Sequence, residues 1–281
     1  MANTEAIGSM KMQPWHLPGA LALSAEAGWN QVAPDWLLMI EHGHAIGVEA
    51  GDDGALVASA LALPFGARLA WISMVLVTAS HRRRGLASKL VSDCLAWLEQ
   101  RGCVAVLDAT AAGAEVYRPL GFETVRRITR WQHPGQAISA ATPQPALGEQ
   151  DLAWVLPLDE AVFGAERDFV LADLLRRPKA VALGLPSRNG FALSRDGRVA
   201  TQIGPVVAPQ ADEAMALLDA MLARIHGPVF IDAYDDQAAF AAHLEKLGFR
   251  RQRGFERMVR GQIESFGDMA RSFAAAGPEL G

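Results

Sequence analysis

A basic turn that contains glycine stands where an apolar strand runs into a helix. The strand Val75-Leu76-Val77 is followed by Arg82-Arg83-Arg84-Gly85, and Leu86-Ala87-Ser88 then opens the helix. A helix N-terminus offers unpaired N–H groups and about half a positive charge, so it binds anions such as pyrophosphate. Gly85 and the small Ala87 let the backbone approach a phosphate, and the arginines add charge-assisted hydrogen bonds. The segment predicts a phosphate loop; the alternative is a solvated basic turn without a ligand.

Two motifs, taken in order along the chain, resemble the GNAT superfamily of N-acetyltransferases. Arg82-x-x-Gly85-x-Ala87 is similar to that family's Arg/Gln-x-x-Gly-x-Gly/Ala signature, with alanine at a position where many members have glycine. Tyr117-Arg118-Pro119-Leu120-Gly121-Phe122 is similar to the family's Tyr-x-x-Leu-Gly-Phe. The resemblance covers about Met10 to Trp131.

More narrowly, the sequence resembles a bacterial subgroup that joins an active N-terminal GNAT domain to a degenerate C-terminal GNAT-like domain. The segments that carry this narrower resemblance are Gly28-Trp29-Asn30-Gln31, Trp71-Ile72-Ser73-Met74-Val75-Leu76-Val77, Leu107-Asp108-Ala109-Thr110, Phe163-Gly164-Ala165-Glu166-Arg167 and Gly277-Pro278-Glu279-Leu280-Gly281.

The resemblance implies acetyl-CoA as the co-substrate and no metal. Backbone groups of Val75, Leu76 and Val77 would meet the pantetheine arm, and an N–H group of Leu76 or Val77 could stabilise the tetrahedral oxyanion. The residues that would hold the pyrophosphate are Arg82, Arg83, Arg84, Gly85, Leu86, Ala87 and Ser88.

Two side chains are the candidates for proton transfer. The family position of Tyr117 implies the acid that protonates the leaving thiolate, for which a phenol of pKa ≈ 10 is suited. Its alternative role is packing on a helix face. Asp108 closes the strand whose end the family geometry would place near the acetyl group, where it could take a proton, act through water or hold a cationic substrate. Its alternative role is to cap the next helix.

Aromatic and polar residues suggest an acceptor pocket, whereas the histidines suggest no metal site. We expect Trp29, Asn30 and Trp71 to contact the acceptor, with core packing as the alternative for the tryptophans. His42 and His44 could place two imidazoles on one side of a strand, but no third ligand is visible.

The elements that must position these residues follow from hydrophobic spacing. Helical periodicity is strongest after the basic turn, and Met74 to Val77 is continuously apolar, which is typical of a covered central strand. The first half predicts helices over 19–27, 35–41, 85–100 and 112–118, strands over 45–49, 55–63, 68–78 and 104–107, a turn at Asp52-Asp53-Gly54 and a strand after Gly121.

The second half repeats this order, which indicates an internal duplication. Leu247-Gly248-Phe249 corresponds to Leu120-Gly121-Phe122, and the predicted strands over 198–208 and 229–232 alternate with helices over 211–225 and 237–246. Asp212-Glu213 stands where the first half has its arginines, and Leu244 replaces Tyr117. We therefore expect no acetyl-CoA in the second half, with Asp232 and Tyr234 contributing to a shared cleft.

These patterns predict an α/β (α+β) chain of two tandem GNAT-like domains, each a mixed, mostly antiparallel sheet flanked by helices. The predicted boundaries are 1–133 for the acetyltransferase domain, 134–150 for a linker rich in small residues and proline, and 151–281 for the degenerate domain. Residues 261–281 are interpreted as a tail with a short apolar patch from Met269 to Ala276.

Composition narrows the function. The 281 residues carry a formal net charge of −5, which disfavours a nucleic-acid binder. No apolar run suits a signal core or a membrane span, and two cysteines build no disulfide framework, so we expect a cytoplasmic protein, monomeric or homodimeric. The hypothesis is an acetyl-CoA-dependent N-acetyltransferase acting on a small molecule or a protein amino group. The alternative is a non-catalytic acyl-CoA sensor.

Overall fold

The computed structural model describes residues 8–51, 54–135, 142–262 and 266–281, so the predicted turn residues Asp52 and Asp53 lie outside the described residues. The strands are β1 (Met10–Lys11), β2 (His44–Ala50), β3 (Ala55–Phe65), β4 (Leu69–Val77), β5 (Val104–Ala109), β6 (Glu123–His133), β7 (Ala182–Gly184), β8 (Phe191–Arg195), β9 (Thr201–Val207), β10 (Val229–Tyr234), β11 (Arg250–Arg260) and β12 (Ser272–Ala275). The helices are α1 (Leu17–Glu26), α2 (Ala33–His42), α3 (Leu86–Glu99), α4 (Ala111–Tyr117), α5 (Leu152–Phe163), α6 (Asp168–Arg176), α7 (Ala211–Leu222) and α8 (Ala238–Lys246).

The chain divides into two compact units, Met1–Ala105 and Val106–Gly281. This division lies well before the linker that the sequence predicts between residues 133 and 151. The division differs from the predicted one because the last strands of the two sequence repeats, β6 and β11, pair with each other inside the second unit. The predicted boundaries describe the repeats along the sequence, and as domain limits they stay a prediction.

The first unit holds an antiparallel run of strands in the order β1-β2-β3-β4. Helix α3 lies against β3 and β4, and buries an apolar stripe whose members recur at intervals of three or four residues along the helix. Its members are Leu86, Leu90, Val91, Cys94, Leu95 and Leu98. The helices and strands predicted for the first half of the sequence are present, with ends that differ by a few residues.

One local prediction for this unit is wrong. His42 is the last residue of α2 and His44 is the first residue of β2. The two imidazoles therefore do not share a strand, because a helix end and the extended Gly43 separate them.

The second unit holds strands in the order β5-β11-β6-β10-β12-β9-β8-β7. All pairs for which the register is defined are antiparallel except β10 with β9, which is parallel. A large apolar core forms against helices α7 and α8, and it includes Trp131, Leu217, Met221 and Phe240. Trp131 ends the first repeat in sequence, yet its ring belongs to this core.

The two repeats exchange their last strands. β6 follows the first Leu-Gly-Phe tripeptide, but it pairs with β10 of the second repeat. β11 follows the second tripeptide, but it lies next to β5 of the first repeat. β6 and β11 also pair with each other, with Ile128 opposite Phe255. Aligning the tripeptides makes these two residues equivalent, so the pairing has an approximate two-fold symmetry.

A reciprocal pair of buried salt bridges accompanies this exchange. Asp108 of β5 accepts two hydrogen bonds from Arg257 of β11, with Nε–Oδ1 and Nη2–Oδ2 both 2.8 Å. Asp232 of β10 accepts the same pair from Arg130 of β6, also at 2.8 Å and 2.8 Å. Gln202 donates a further bond to Asp232 at 3.0 Å. Bidentate pairs of this kind fix geometry strongly, so each exchanged strand is held at one register.

The segment predicted as a tail contains a strand. β12 lies between β9 and β10, with Ser272 opposite Val207 and Ala275 opposite Asp232. The interpretation of residues 261–281 as a tail is therefore wrong for Ser272–Ala275, which form a strand of the sheet. Only Phe273 to Ala276 of the apolar patch are buried, because β9 and β10, paired at one end, leave room for a strand between their other ends, whereas Met269 is exposed.

Breaking one partner of the Asp232–Arg130 pair should destabilise the second unit strongly. Asp232→Asn or Arg130→Met would leave a buried charge without its counter-charge, and each should lower the free energy of unfolding by about 3–5 kcal/mol in urea titrations. The double variant should cost less than the sum of the two. The exposed pair Arg176–Glu149 is the matched control, with an expected effect below about 1 kcal/mol. Additive single effects at Asp232 and Arg130 would show that the pair does not couple the strands.

Candidate functional site

The predicted phosphate loop ends at an open helix N-terminus. Gly85 precedes the first helical residue, Leu86, with a φ of 78°, which is a left-handed conformation that favours glycine. Among the described residues no side chain caps α3, and its first turn carries no acidic residue. A Cβ built on Gly85 would meet no described atom within 4 Å. The space beside Gly85 at the start of α3 is therefore open among the described residues, as an anion site at a helix N-terminus needs.

The arginines of the loop are exposed and partly hold the loop itself. Arg82 Nε donates to the Val77 carbonyl at 3.2 Å, and Arg84 Nη2 donates to the Ser80 carbonyl at 3.0 Å. Arg83 adopts a positive φ of 60°, which is uncommon for a side chain of this size. These bonds leave further N–H groups on each guanidinium for a phosphate.

A β-bulge in β4 lies directly before the strand residues predicted to meet pantetheine. Ser59 is opposite Leu76 and Leu61 is opposite Ser73, so β4 has one more residue than β3 between these pairs. Met74 lies in the bulge with a φ of 53°, and its carbonyl accepts a hydrogen bond from Ser59 Oγ at 2.8 Å. A bulge leaves an unpaired residue and bends the strand, and such features are frequent beside active sites.

Glu26 adds a contact that the sequence did not indicate. Its carboxylate, at the end of α1, accepts a hydrogen bond from the Ala79 N–H at 2.6 Å and lies 4.0 Å from Arg82 Nη2. The carboxylate thus ties α1 to the turn that follows β4. No periodicity or motif connects residues so far apart in sequence, so only the structure reveals this contact.

Tyr117 is the last residue of α4. Its ring packs 6.1 Å from that of Phe122, at a tilt of 59°. Burial raises the pKa of Tyr117 to about 12, so its hydroxyl keeps the proton throughout the neutral range. No described residue forms a hydrogen bond with this hydroxyl. A buried and protonated hydroxyl suits a proton donor. The ring also packs against Phe122, so the catalytic role of Tyr117 stays a prediction.

Asp108 is completely engaged by the arginine that comes from β11. Its side chain is fully buried, and both of its oxygens accept hydrogen bonds from Arg257. Burial raises the pKa of Asp108, an effect that the Arg257 guanidinium opposes. This arrangement favours an anchoring role for Asp108. Removal of a proton by Asp108 stays a prediction.

The alternative role of Asp108 as a helix cap is wrong. Thr110 is the N-cap of α4, and its Oγ1 accepts a hydrogen bond from the Gly113 N–H at 3.2 Å. Asp108 lies inside β5, two residues before the cap, so its carboxylate cannot serve the helix.

The three predicted acceptor residues differ in burial. Trp71 is completely buried in β4, and its ring lies 6.0 Å from Phe65, which favours the alternative of core packing. Asn30 is buried and Trp29 is partly buried, in the segment between α1 and α2. Of these residues Trp29 retains a surface for an acceptor, and all three contacts stay predictions.

The second repeat carries acidic residues at the helix start that corresponds to that of α3. The first turn of α7 contains Asp212 and Glu213, and Asp212 Oδ1 accepts a hydrogen bond from the Glu213 N–H at 3.0 Å. A helix N-terminus attracts negative charge, and in α7 the helix itself supplies that charge through Asp212 and Glu213. β12 also pairs with Val206 and Val207, which correspond to the strand end predicted to meet pantetheine in the first repeat.

Two absences concern the described residues alone. Within them, no three His, Cys, Asp or Glu side chains are grouped so that they could bind a metal ion. None of the helices in the same part of the chain is both long and apolar enough to cross a membrane.

Comparison with known proteins agrees with this architecture. The sequence model described as Acetyltransferase (GNAT) family matches residues 14–122, and the one described as Acetyltransferase (GNAT) domain matches residues 155–274. YitH of Bacillus subtilis (strain 168), an uncharacterized N-acetyltransferase, is 26% identical over 254 residues, which cover 86% of this chain and 87% of YitH.

Solved structures show the same fold. A protein of Pyrococcus horikoshii assigned as an acetyltransferase has a TM-score of 0.84 at 17% identity, over 100% of this chain and 98% of its own. A GCN5-related N-acetyltransferase of Sphaerobacter thermophilus has a TM-score of 0.66 at 18% identity, over 92% and 98%. A tandem GNAT protein from the clavulanic acid biosynthesis pathway has a TM-score of 0.63 at 14% identity, over 92% and 99%.

These matches define both the fold class and the family of the chain. The chain is a mixed α/β protein made of two GNAT domains in tandem, as the sequence predicted. It belongs to the GNAT N-acetyltransferases and is an acyltransferase.

A bulky residue at Gly85 should weaken acetyl-CoA binding far more than it destabilises the chain. Gly85→Val would strain a left-handed position and extend a side chain into the open space before α3, so we expect at least a 100-fold loss of affinity by calorimetry. Gly102→Val is the matched control, because Gly102 has a φ of 65° and equally open surroundings after α3. Both variants should lose similar stability, about 1–3 kcal/mol. Equal acetyl-CoA affinities of the two variants would contradict a phosphate site at Gly85.

Proposed function

We propose that the chain is an acetyl-CoA-dependent N-acetyltransferase that acetylates an amino group of a small molecule or a protein. The observation that carries this proposal is the uncapped N-terminus of α3 behind an exposed turn of arginines. Its N–H groups, the open space at Gly85 and the loop arginines fit a pyrophosphate. The family supports acetyl transfer, and acetyl-CoA is the donor whose pyrophosphate this loop fits.

The loop and strand residues would divide the work of holding the cofactor. Residues Arg82 to Ser88 would bind the pyrophosphate, and the backbone of Val75 to Val77 would meet the pantetheine arm. The bulge at Met74 supports the second role, because the bulged residue interrupts the ladder between β3 and β4. Backbone N–H groups of Leu76 or Val77 would stabilise the oxyanion, a contribution of about 2.7–4 kcal/mol for one donor.

Tyr117 would supply the proton for the departing thiolate. Transfer of an acetyl group from a thioester to an amine breaks the C–S bond and forms a C–N bond, and the thiolate must then gain a proton. A phenol whose pKa is about 12 is protonated when the reaction begins, and it can donate as charge develops on sulfur. Asp108 would contribute by anchoring Arg257.

The second repeat would serve the first without a cofactor of its own. The acidic first turn of α7 repels a pyrophosphate, and β12 already pairs with the strand end that corresponds to the pantetheine position. The strand that the second repeat contributes, β11, brings Arg257 to Asp108.

Acetyl-CoA should bind once per chain. Calorimetric titration should give a stoichiometry near one, because only α3 combines an open N-terminus with basic residues among the described helices that follow β4 and β9. Asp212→Asn combined with Glu213→Gln, in α7, is the control variant and should leave the stoichiometry unchanged. Two equivalent sites per chain would contradict the proposed division between the repeats.

Replacing Tyr117 by phenylalanine should slow the chemical step and leave cofactor affinity nearly unchanged. Loss of a positioned general acid lowers the rate by about 10²–10⁴-fold. The comparison is Tyr234→Phe, which removes a hydroxyl bonded to Arg257 at 2.8 Å and should mainly lower stability, by about 1.5–3 kcal/mol. Rate constant, acetyl-CoA affinity and melting curve are measured on each variant, with release of free CoA as the assay.

Turnover of Tyr117→Phe within threefold of the parent would remove Tyr117 from the mechanism. Tight acetyl-CoA binding with no release of CoA on any amine would instead favour a non-catalytic acyl-CoA sensor. The two outcomes are distinct. The first compares the variant with a parent protein that turns over, whereas in the second the parent itself releases no CoA.

A further inference from the structure

A cavity lies within the second unit, where residues of β6, β10 and β11 meet residues of α5 and β12. Its empty volume is about 280 Å³, which includes the space at its mouth. The described residues that line it all belong to the second unit. Small-molecule sites commonly measure about 300–1,000 Å³, so an occupant of this cavity must be small.

Two arginines and a tyrosine form a polar wall of this cavity. Arg126 and Arg257 place their guanidinium groups 3.5 Å and 5.1 Å from the centre of the Tyr234 ring. Arg257 Nη1 also donates a hydrogen bond to the Tyr234 hydroxyl at 2.8 Å. All three side chains are buried, and Ser272 adds a half-buried side chain to the lining of the same cavity.

Both guanidinium groups are held in place by other parts of the second unit. Arg126 donates to Asp236 through Nε and Nη2, at 2.9 Å and 2.8 Å, and its Nη2 also donates to two backbone carbonyls at 3.1 Å and 3.2 Å. Arg257 is held by the bidentate pair with Asp108. Because the wall is already ordered, a ligand would lose little affinity to the ordering of side chains.

Donor groups of this wall lack an acceptor among the described residues. Arg126 Nη1 forms no hydrogen bond, since the bonds of this side chain use Nε and Nη2. The Tyr234 hydroxyl accepts from Arg257, but no described residue accepts its own hydrogen. The Ser272 hydroxyl has no partner either, since Ser272 accepts through its backbone carbonyl. A buried donor without an acceptor is costly, so the wall favours a ligand that brings acceptor oxygens.

The remaining residues that line the cavity are apolar. They are Val162, Phe163, Phe266 and Met269. Val162 and Phe163 are buried at the end of α5, whereas Phe266 is half-buried and Met269 is exposed. An apolar lining with a few placed polar groups is the usual composition of a small-molecule site. The cavity therefore fits a compound that joins a polar head to an apolar tail.

Charge limits the class of the polar head. Each guanidinium already has one carboxylate partner, Asp236 for Arg126 and Asp108 for Arg257. A phosphate dianion would bring two negative charges close to these two carboxylates. A carboxylate brings a single negative charge, and its two oxygens accept several hydrogen bonds in the geometry that a guanidinium favours. A monovalent carboxylate is therefore the expected head group.

We propose that this cavity binds a small monocarboxylic acid with an apolar tail, such as butyrate or isovalerate. Arg126 Nη1 and the hydroxyls of Tyr234 and Ser272 donate to the carboxylate oxygens, and the tail contacts Phe163 and Phe266. The cavity and the phosphate loop belong to different units of the chain. The inference therefore goes beyond the proposed acetyltransferase function and does not depend on it.

The test compares acids with their neutral amides on the full chain in the absence of CoA. Acetate, propionate, butyrate, isobutyrate, isovalerate and benzoate are titrated, each beside its amide, and binding is followed by ligand-observed NMR. At least one acid should bind about tenfold or more tightly than its amide, because charge-assisted hydrogen bonds favour the carboxylate. Displacement of that acid by equal concentrations of sodium chloride or inorganic phosphate would show that the cavity recognises charge alone, and would overturn the carboxylate assignment.

Two variants assign the binding to the cavity. Arg126→Gln should weaken the acid by about 10–100-fold and also lower the melting temperature, because it breaks the ion pair with Asp236. Ser272→Ala removes a hydroxyl that has no partner, so it should weaken the acid by about 2–10-fold at an unchanged melting temperature. Ser187→Ala, an exposed serine of the same unit that does not line the cavity, is the matched control and should change neither quantity.

The remaining outcomes separate this site from the cofactor loop. Gly85→Val should bind the acid as the parent does, and loss of acid binding in that variant would place the acid at the phosphate loop and overturn the inference. Equal affinity for every acid and its amide, or parental affinity in both Arg126→Gln and Ser272→Ala, would also overturn it. Failure of acetyl-CoA to bind the parent would count against the proposed function alone.

Discussion

The structure of the second unit depends on two bidentate salt bridges that cross between the repeats. Asp108 receives Arg257, and Asp232 receives Arg130, so each repeat's aspartate is neutralised by the other repeat's last strand. A buried carboxylate without its cation would be strongly unfavourable, so neither strand can shift register without exposing an uncompensated charge. The exchange makes the two repeats interdependent, although each repeat has its own set of strands and helices.

The two repeats differ at the helix N-terminus and at the strand end that correspond to each other. The first repeat keeps an open helix N-terminus behind Gly85, with arginines around it. The second repeat has carboxylates in the first turn of α7, and its own chain, β12, pairs where the resemblance would place the pantetheine arm. The scaffold is therefore retained in both repeats, while the electrostatic sign at one helix end and the occupancy of one strand gap differ.

The exchange also changes the interpretation of Asp108. From the sequence it is a carboxylate at a strand end, available for proton transfer or for capping. In the structure Thr110 takes the cap and Arg257 takes the carboxylate, so the group acts as an anchor for a strand from the other repeat. Arg257 in turn donates to the Tyr234 hydroxyl, which connects the anchor to the end of β10.

Local patterns in the sequence predicted the helices and strands of the first half, the basic turn before α3 and the duplication, because these depend on residues that are neighbours along the chain. The apolar stripe of α3 and the turn at Gly85 are of this kind. Local patterns did not predict α5, α6, β7 or β8. The sequence did not determine that Arg257 meets Asp108, that Glu26 meets Ala79, or that the apolar patch before the C-terminus becomes β12. Each of these contacts joins residues far apart in sequence, and no periodicity encodes which strand lies beside which. Tertiary structure decides them through strand order and through the burial of charges that must find a partner.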